Sequence, residues 1–522
     1  MGKSAATADV AVIGAGTLGL PMAGALGARG LSVICLESGA ETQNDEIHPL
    51  NEVVYSRAVY PGAAHGRFRC LGGTSTRWGG ALIPFLVSDV RNADWPVSHA
   101  DIVAYRPAVE RFFGLSDEEY EADGLITAVA GVATHIARLA KWPRFAKRNV
   151  FNILERDVRT RPNMRVIINA TATDFAVEGG ALRRIVARAP NGASLTVHAR
   201  KVVFAAGAIE STRLLLLLDQ QNDSCLRHQG DQLGRNFHDH LSVPVARLKP
   251  IDQRQLNRLF GFRFERDGAM RNLRFELAEN GTIRADVKPC FAHIAFEGEE
   301  GGGFASLREV FRHLQMRRIA PLATFVSLAL DAPWLIRAVW WRFVEQRLLY
   351  PDNAKLNVHM VIEQELVADH RIQLSPDKVD CFGRPLAQID WSVSDIDVEN
   401  LRKATDAFEK AWNGSNLAQV AQFIRRAEDE AASDLVLGGS IYHPGGSTRM
   451  GRTPDTGAVD ANLKVFGLSN LFVVATSVLP TGGGGNPTMM AAMLAFRCVD
   501  HLVSEVAARR PSANARQAAK NS

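Results

Sequence analysis

The chain is 522 residues long, with 46% apolar residues, 22% charged residues and a net charge of +4 at neutral pH. That length accommodates two or three ordinary domains, or one large domain carrying a second. The composition is that of a globular protein, the small charge argues against a nucleic-acid partner, and six scattered cysteines without a CxxC pair argue against a zinc site, an iron–sulfur cluster or a disulfide framework.

The N-terminal MGKSAATADV is too short and too polar for a signal peptide, so a cytoplasmic protein is expected. The apolar run VAVIGAG reads as a strand ending in a turn. Gly14, Gly16 and Gly19 form GxGxxG between this strand and an apolar helical stretch, with Thr17 and Leu18 inside the turn. Gly14 permits the tight turn, Gly16 lets the backbone approach a pyrophosphate, and Gly19 lets helix and strand pack closely. The helix start then turns its free N–H groups to the phosphates. The next strand, LSVICLE, ends in Glu37, where a carboxylate can accept hydrogen bonds from a ribose. The unit points to a dinucleotide and by itself leaves NAD and FAD both open.

Residues 41–70 are mixed and loop-like. LGGTSTRWGG follows, with four glycines in ten residues, a composition that brings backbone against a flat ligand. MRVIINATATDFAVEGGALRRIVARAP alternates as two strands joined by a Gly-Gly turn. KVVFAAGAIESTRLLLLL gives a buried strand, a small-residue turn at Ala205, Ala206 and Gly207, and a helix. That turn is either a second close approach to a cofactor or plain tight packing.

From about Leu241 to Glu430 the composition shifts. RIQLSPDKVDCFGRPLAQIDWSV reads as antiparallel strands, and DVENLRKATDAFEKAW has helical spacing of Leu401, Ala404, Phe408 and Trp412. A substrate domain inserted between pieces of the nucleotide domain is expected here. Within it, Phe304 to Tyr350 holds seven arginines against three acidic residues, together with Trp334, Trp340 and Trp341. Such a segment can lie on a membrane or bind a redox partner. Because its arginines do not gather on one helical face, the favoured reading is a helix laid over the ligand site with arginine stems on apolar surface.

The last third carries YHPGGSTRMG and TGGGGNPTMM. These two glycine-rich stretches present His443 and Asn486. Asn486-Pro487 also has the form of a helix start, with Asn as N-cap and Pro at the first helical position. His238 and His240 in FHDH are spaced like a metal pair but lack an evident third ligand, so a structural role and no metal site are expected.

Seven motifs in order resemble the glucose–methanol–choline (GMC) oxidoreductases: GAGTLG with Glu37, LGGTSTRWGG, DWPVSHADIVAY, AAGAIESTRLLLL, GRNFHDH, YHPGGSTRMG and GLSNLFVVATSVLPTGGGGNPTMMAAMLAFR. The resemblance spans nearly the whole chain. It implies FAD rather than NAD and an α/β fold: a Rossmann-like FAD-binding domain with an inserted α+β substrate domain whose antiparallel sheet is covered by helices. The expected segments are 1–245 and 431–510 for the flavin domain, 246–430 for the substrate domain, and a disordered tail at 511–522.

The resemblance further implies that His443 is the catalytic base and Asn486 its partner on the substrate oxygen. An imidazole titrates near neutrality and can take an alcohol proton, while the hydride passes to the flavin. The implied cofactor contacts are Gly14, Gly16, Thr17, Leu18, Gly19, Glu37, Gly73, Thr74, Arg77, Trp78, Gly79, Gly80, Ala206, Gly207, Thr476, Ser477, Pro487 and Thr488. Arg77 stands where some members attach FAD through a histidine, so non-covalent FAD is expected. Ala475 and Thr476 before Ser477 replace an aspartate common in the family and resemble its bacterial sugar-oxidising branch, so the expected substrate is a sugar, glycoside or other small alcohol. The electron acceptor (oxygen, a quinone or a redox protein) stays open. A lyase of the same fold with structural FAD, or a flavin subunit that needs a partner, is the alternative.

Overall fold

A computed structural model describes residues 4–91, 93–121, 134–226, 231–278, 286–298 and 302–508. The strand Ser4–Ile13 pairs in parallel with Val33–Leu36 on one side and Ser194–Phe204 on the other. Met164–Ile167 adds beyond Val33–Leu36, also in parallel. Ser194–Phe204 serves two neighbours. Its first half pairs antiparallel with Ala181–Arg188, and its end, Val202–Phe204, pairs in parallel with Leu471–Val473. The predicted hairpin is present as Thr171–Glu178 and Ala181–Arg188. Its turn residues Gly179 and Gly180 both have positive φ, 58° and 68°, the backbone that a two-residue type I′ turn requires.

The central strands are buried on both faces, as a parallel sheet between helices must be. Helices Gly19–Ala28, Ala208–Gln221 and Pro487–Ala508 cover them and contribute Leu20, Leu215 and Met489 to one core.

A second, antiparallel sheet runs Arg263–Phe264, Met270–Leu277, Cys290–Glu297, Lys355–Glu363, His240–Pro250, Ala421–Arg425. Helix Asp395–Asn413 lies on it, started by a capping box between Ser394 and Asp397. Leu401, Ala404, Phe408 and Trp412 are all buried in this second core, as their spacing predicted. Phe408 and Trp412 are the largest such pieces, and truncating either to alanine costs about 3–5 kcal/mol.

The expected segmentation differs from the pairing at two places. His135–Trp142, inside the stretch assigned to the flavin domain, pairs with Met270–Leu277 in the second sheet. His240–Pro250 belongs wholly to that sheet, so it begins before residue 246. Pairing across more than a hundred residues leaves no local mark, because HIARLAKW reads as a strand in either sheet. The tail expected at 511–522 lies outside the described residues.

Candidate active site

Two cavities meet along two short segments. Tyr442 and Pro444 line one cavity while His443, between them, lines the other. Asn486 and Thr488 divide in the same way.

The first cavity is the glycine cradle. A methyl group on Gly14 would stand 2.6 Å from the Ala205 carbonyl oxygen, and one on Gly19 only 2.0 Å from that of Gly14. Both contacts weld the turn to its neighbours. At Gly16, by contrast, the nearest atom a side chain would meet is 3.9 Å away, and at Gly207, where φ is +78°, nothing lies within 4 Å. Both glycines line the cavity, so its floor is kept open by missing side chains. This room, at the start of helix Gly19–Ala28, fits the pyrophosphate of a dinucleotide. Thr17, Leu18, Glu37, Gly73, Thr74, Trp78, Ala206, Thr476 and Thr488 line the same cavity.

The remaining expected contacts lie elsewhere. Gly19 packs against Gly14, and Gly79 packs against the Trp142 ring. Gly80 turns the chain at φ +95°. Ser477 is buried in a hydrogen bond with Thr448, 2.6 Å long. Pro487 opens its helix, with its side chain buried. Arg77 does not reach the cavity: it donates to Asp45 and to the Asn44 carbonyl and stacks over Phe68. Three acceptors, the Gln43 carbonyl included, and an aromatic face satisfy it there. Glu37 reaches the cavity edge, yet its carboxylate accepts from Ala15 N and Gly39 N, each at 2.9 Å. It therefore braces the glycine turn, with lone pairs left for a ribose.

Three further residues line this cavity: Arg67 and Arg69, which belong to no motif, and Glu210, which lies inside AAGAIESTRLLLL but was not expected at the ligand. Glu210 accepts from Arg69 and Arg213, each at 2.9 Å. Burial opposes its charge, but the surrounding guanidinium groups hold its carboxyl down to about 2.

The second cavity, of about 1060 Å³, is lined by His443 and Asn486. His443 is positioned from behind by Asp239. The Asp239 carboxylate accepts from His443 N at 2.6 Å, His240 N at 2.7 Å, Tyr442 N at 3.1 Å, Ser440 Oγ at 2.6 Å and the Tyr60 hydroxyl at 2.8 Å. Tyr442 itself adopts φ +67°, a strained turn held in place by these bonds. Burial pushes the Asp239 carboxyl up to about 6 even against five donors. Asp239 stands between His238 and His240 in FHDH, and nothing in that local sequence signals its role.

Asn486 Nδ2 lies 3.4 Å from His443 Nε2. Among the described residues, neither Asn486 Oδ1 nor His443 Nδ1 has a partner. Asn486 therefore does not cap helix Pro487–Ala508 with its side chain, contrary to the N-cap expectation: its amide is turned to the histidine. Burial pushes the His443 imidazole well below its usual range, with His240 and Arg274 adding to the effect.

The glycine run before Asn486 is held by carboxylates. Gly483 N donates to Glu363 at 2.9 Å and Gly484 N to Asp89 at 3.1 Å. The Gly483 carbonyl lies 2.9 Å from His240 Nε2. A side chain on Gly483, at φ +66°, would strike the Phe85 ring at 2.6 Å. Burial pushes Glu363 up to about 7. His240 packs edge-on against His443, centroids 5.4 Å apart, and His238 Nδ1 lies 2.9 Å from the Asn236 carbonyl. Both histidines of FHDH thus brace backbone. The wall of the cavity is rich in aromatic side chains, Trp142, Phe262, Phe291, Phe296 and Tyr350 among them, and also carries six arginines.

Comparison with known proteins agrees with this architecture. Residues 368–495 match the family model of the GMC oxidoreductases. The chain is similar to a C-glycoside 3-oxidase of Microbacterium trichothecenolyticum, 28% identical over 146 residues, which take in 28% of this chain and 26% of that one. It is also similar to an oxygen-dependent choline dehydrogenase of Staphylococcus saprophyticus subsp. saprophyticus, 26% identical over 65% of this chain and 57% of the relative. The chain thus spans about half or less of the length of the curated relatives it matches. Among solved structures, a formate oxidase superposes with TM-score 0.60 at 14% identity over 97% of this chain and 99% of that one. A pyridoxine 4-oxidase from Mesorbium loti does so with TM-score 0.60 at 18% identity over 96% and 100%. The resemblance drawn from the motifs therefore holds: the chain has the GMC fold and carries that family's C-terminal domain.

Proposed function

With the GMC fold as premise, we propose that the chain is an FAD-dependent oxidoreductase acting on a primary or secondary alcohol, with His443 as base and Asn486 as orienting partner. The observation that carries this reading is the pair itself. Two polar side chains stand 3.4 Å apart at the seam of the two cavities, each with an orphaned polar atom. That is a site short of one polar ligand.

When bound, the flavin supplies the acceptor for the hydride leaving the alcohol carbon. The chain's own residues manage the proton and the geometry. The depressed imidazole is neutral at neutral pH, so its Nε2 is free to take the hydroxyl proton. Asn486 Nδ2, loose at 3.4 Å, donates to the substrate oxygen and holds its carbon at one face. Asp239, gripping the His443 and Tyr442 amides, stops the imidazole from swinging away. FAD bound without a covalent link is part of this proposal, as is a cytoplasmic location.

A sugar or glycoside remains our choice of substrate. The aromatic walls favour a glycoside with a bulky apolar aglycone over a free sugar, because such walls gain most from apolar area. The test is the visible spectrum of the purified protein under anaerobic conditions, with glycosides, free sugars and simple alcohols added in turn. Bleaching of the flavin band by glycosides is expected. His443→Ala and Asn486→Ala should each slow that bleaching by about a hundredfold or more with flavin still bound. Normal bleaching in both variants would overturn the assignment, and a bound flavin that no alcohol bleaches would shift it to a lyase.

A further inference from the structure

The helices that roof the substrate cavity are apolar on two opposite faces. In Ala332–Trp340 and its continuation Trp341–Glu345, Trp334 and Ala338 are buried with Leu349, and Leu335 and Trp341 pack onto them. This is the expected cover over the cavity, with the Arg342 guanidinium, rather than its stem, over the Phe264 and Phe343 rings. The opposite face is also apolar. Ile336 is 71% exposed, Trp340 61% and Phe343 73%, and Val344 joins them. On the preceding helix, Leu322–Leu330, both end residues are about four-fifths exposed, at 79% and 82%. Among the described residues, eleven of the 21 exposed large hydrophobic side chains fall between Leu314 and Val344.

A helix on a globular surface buries one apolar stripe, and one that is apolar all round needs a second apolar partner. Patches of this kind mark interaction sites. The charge beside the patch selects the partner. Arg317, Arg318 and Arg337 are matched by Glu155, Asp45 and Asp352 outside the segment, whereas Arg308 and Arg312 are exposed without a carboxylate partner among the described residues. Two copies would set these unmatched cations against each other, whereas an anionic lipid headgroup layer attracts them. Exposed Trp340 beside half-buried Trp341 suits the headgroup boundary. The helices are too short to cross. Even the longer of the two, Ala332–Glu345, spans about 21 Å against a hydrocarbon core of about 30 Å, and the pair is bent by 80°.

We propose that Leu322–Leu330 and Ala332–Glu345 seat the protein on an anionic lipid surface, with the arginines at the headgroups and the exposed leucines, Ile336 and Phe343 in the acyl boundary. Val339 and Phe343 are exposed and also line the substrate cavity, so its mouth opens within the docked face. Docking stands without the catalytic reading. The consequence that a substrate with an apolar body enters from the lipid rests on that reading.

The test is co-sedimentation of the full chain with vesicles of phosphatidylcholine containing phosphatidylserine, against phosphatidylcholine alone. Binding to the mixed vesicles is expected, weakened by salt. The triple variant Leu322→Gln, Leu330→Gln, Ile336→Gln should bind about tenfold less or worse, with unchanged flavin absorbance per chain. Arg308→Gln with Arg312→Gln should lose the preference for phosphatidylserine. No binding to either vesicle would overturn the proposal, as would equal binding by the triple variant. So would a dimer that the triple variant dissolves, since a second copy would then cover the face. Flavin bleaching by a soluble alcohol would persist in each of these cases, which separates this failure from a failure of the catalytic reading.

Discussion

The two cavities on either side of Tyr442–Pro444 are built of different material. The cofactor side is backbone held at contact distance: Gly14 on Ala205, Gly19 on Gly14, Gly73 on Gly16. The substrate side is a wall of aromatic side chains under a roof of helices. Backbone contact admits one residue type, because any Cβ fills the gap. An aromatic wall asks only for volume and apolarity, which many residues supply. The first side is therefore intolerant of change and the second forgiving.

The largest effect is expected on the cofactor side. Gly14→Ala places a methyl 2.6 Å from the Ala205 oxygen at a backbone φ of +106°. We expect flavin affinity to fall by at least about a hundredfold, since both strain and clash must be relieved by opening the turn. Flavin absorbance per chain, with circular dichroism to confirm the fold, measures it. A Gly14→Ala protein with full flavin would show that the cradle is not built on backbone contact.

The same contrast explains what could be read in the chain. The glycine turns, His443 and Asn486 stand out because few residues can replace them. Motif position places both Arg77 and Glu37 at the ligand; in the fold Asp45 draws Arg77 away, while Glu37 lines the cavity and also braces the Ala15 and Gly39 amides. Asp239 stayed hidden between two histidines because its partners, Tyr60 and Ser440, are 179 and 201 residues away in sequence. Pairing of His135–Trp142 with the second sheet was hidden for the same reason. The roof helices were read as a cover from their composition, but an apolar stripe on the far side of a helix looks like more core until neighbours are known.

Asp239 tests whether the seam behaves like the cofactor side. Asp239→Ala leaves five donors without an acceptor in a buried place. A loss of roughly 3–5 kcal/mol in stability follows from groups left unpaired, and flavin reduction by substrate should slow by about a hundredfold as His443 loosens. Asp239→Asn keeps one acceptor oxygen and should fall between. Thermal unfolding and anaerobic stopped-flow bleaching measure the two effects. An alanine variant with an unchanged bleaching rate would remove Asp239 from the positioning role.

Glu363 gives a smaller, pH-dependent effect. Its carboxyl sits at about 7 in the fold against 4.5 when free. Between those values the folded chain keeps a proton that the unfolded chain has lost, so stability declines as pH rises through this window and stays lowered above it. The cost of the buried charge is roughly 3 kcal/mol at most. Glu363→Gln can still accept from Gly483 N, so it should unfold at a higher temperature than the parent at pH 8 and at about the same temperature at pH 4.5. Equal melting of the two proteins at both pH values would show that Glu363 does not ionise in this range.

The smallest effect is expected on the aromatic wall. Phe296 stacks on Tyr350 in the cavity lining, centroids 3.9 Å apart and planes 12° off parallel. Phe296→Leu keeps most of the apolar volume and loses the stack, a change worth about 1 kcal/mol. That should raise KM for a bulky substrate by about fivefold and leave kcat unchanged, because the contact is made equally in ground and transition states. A fall in kcat instead would mean that the wall sets the distance between alcohol carbon and flavin, and the substrate side would then be as exacting as the glycine cradle opposite.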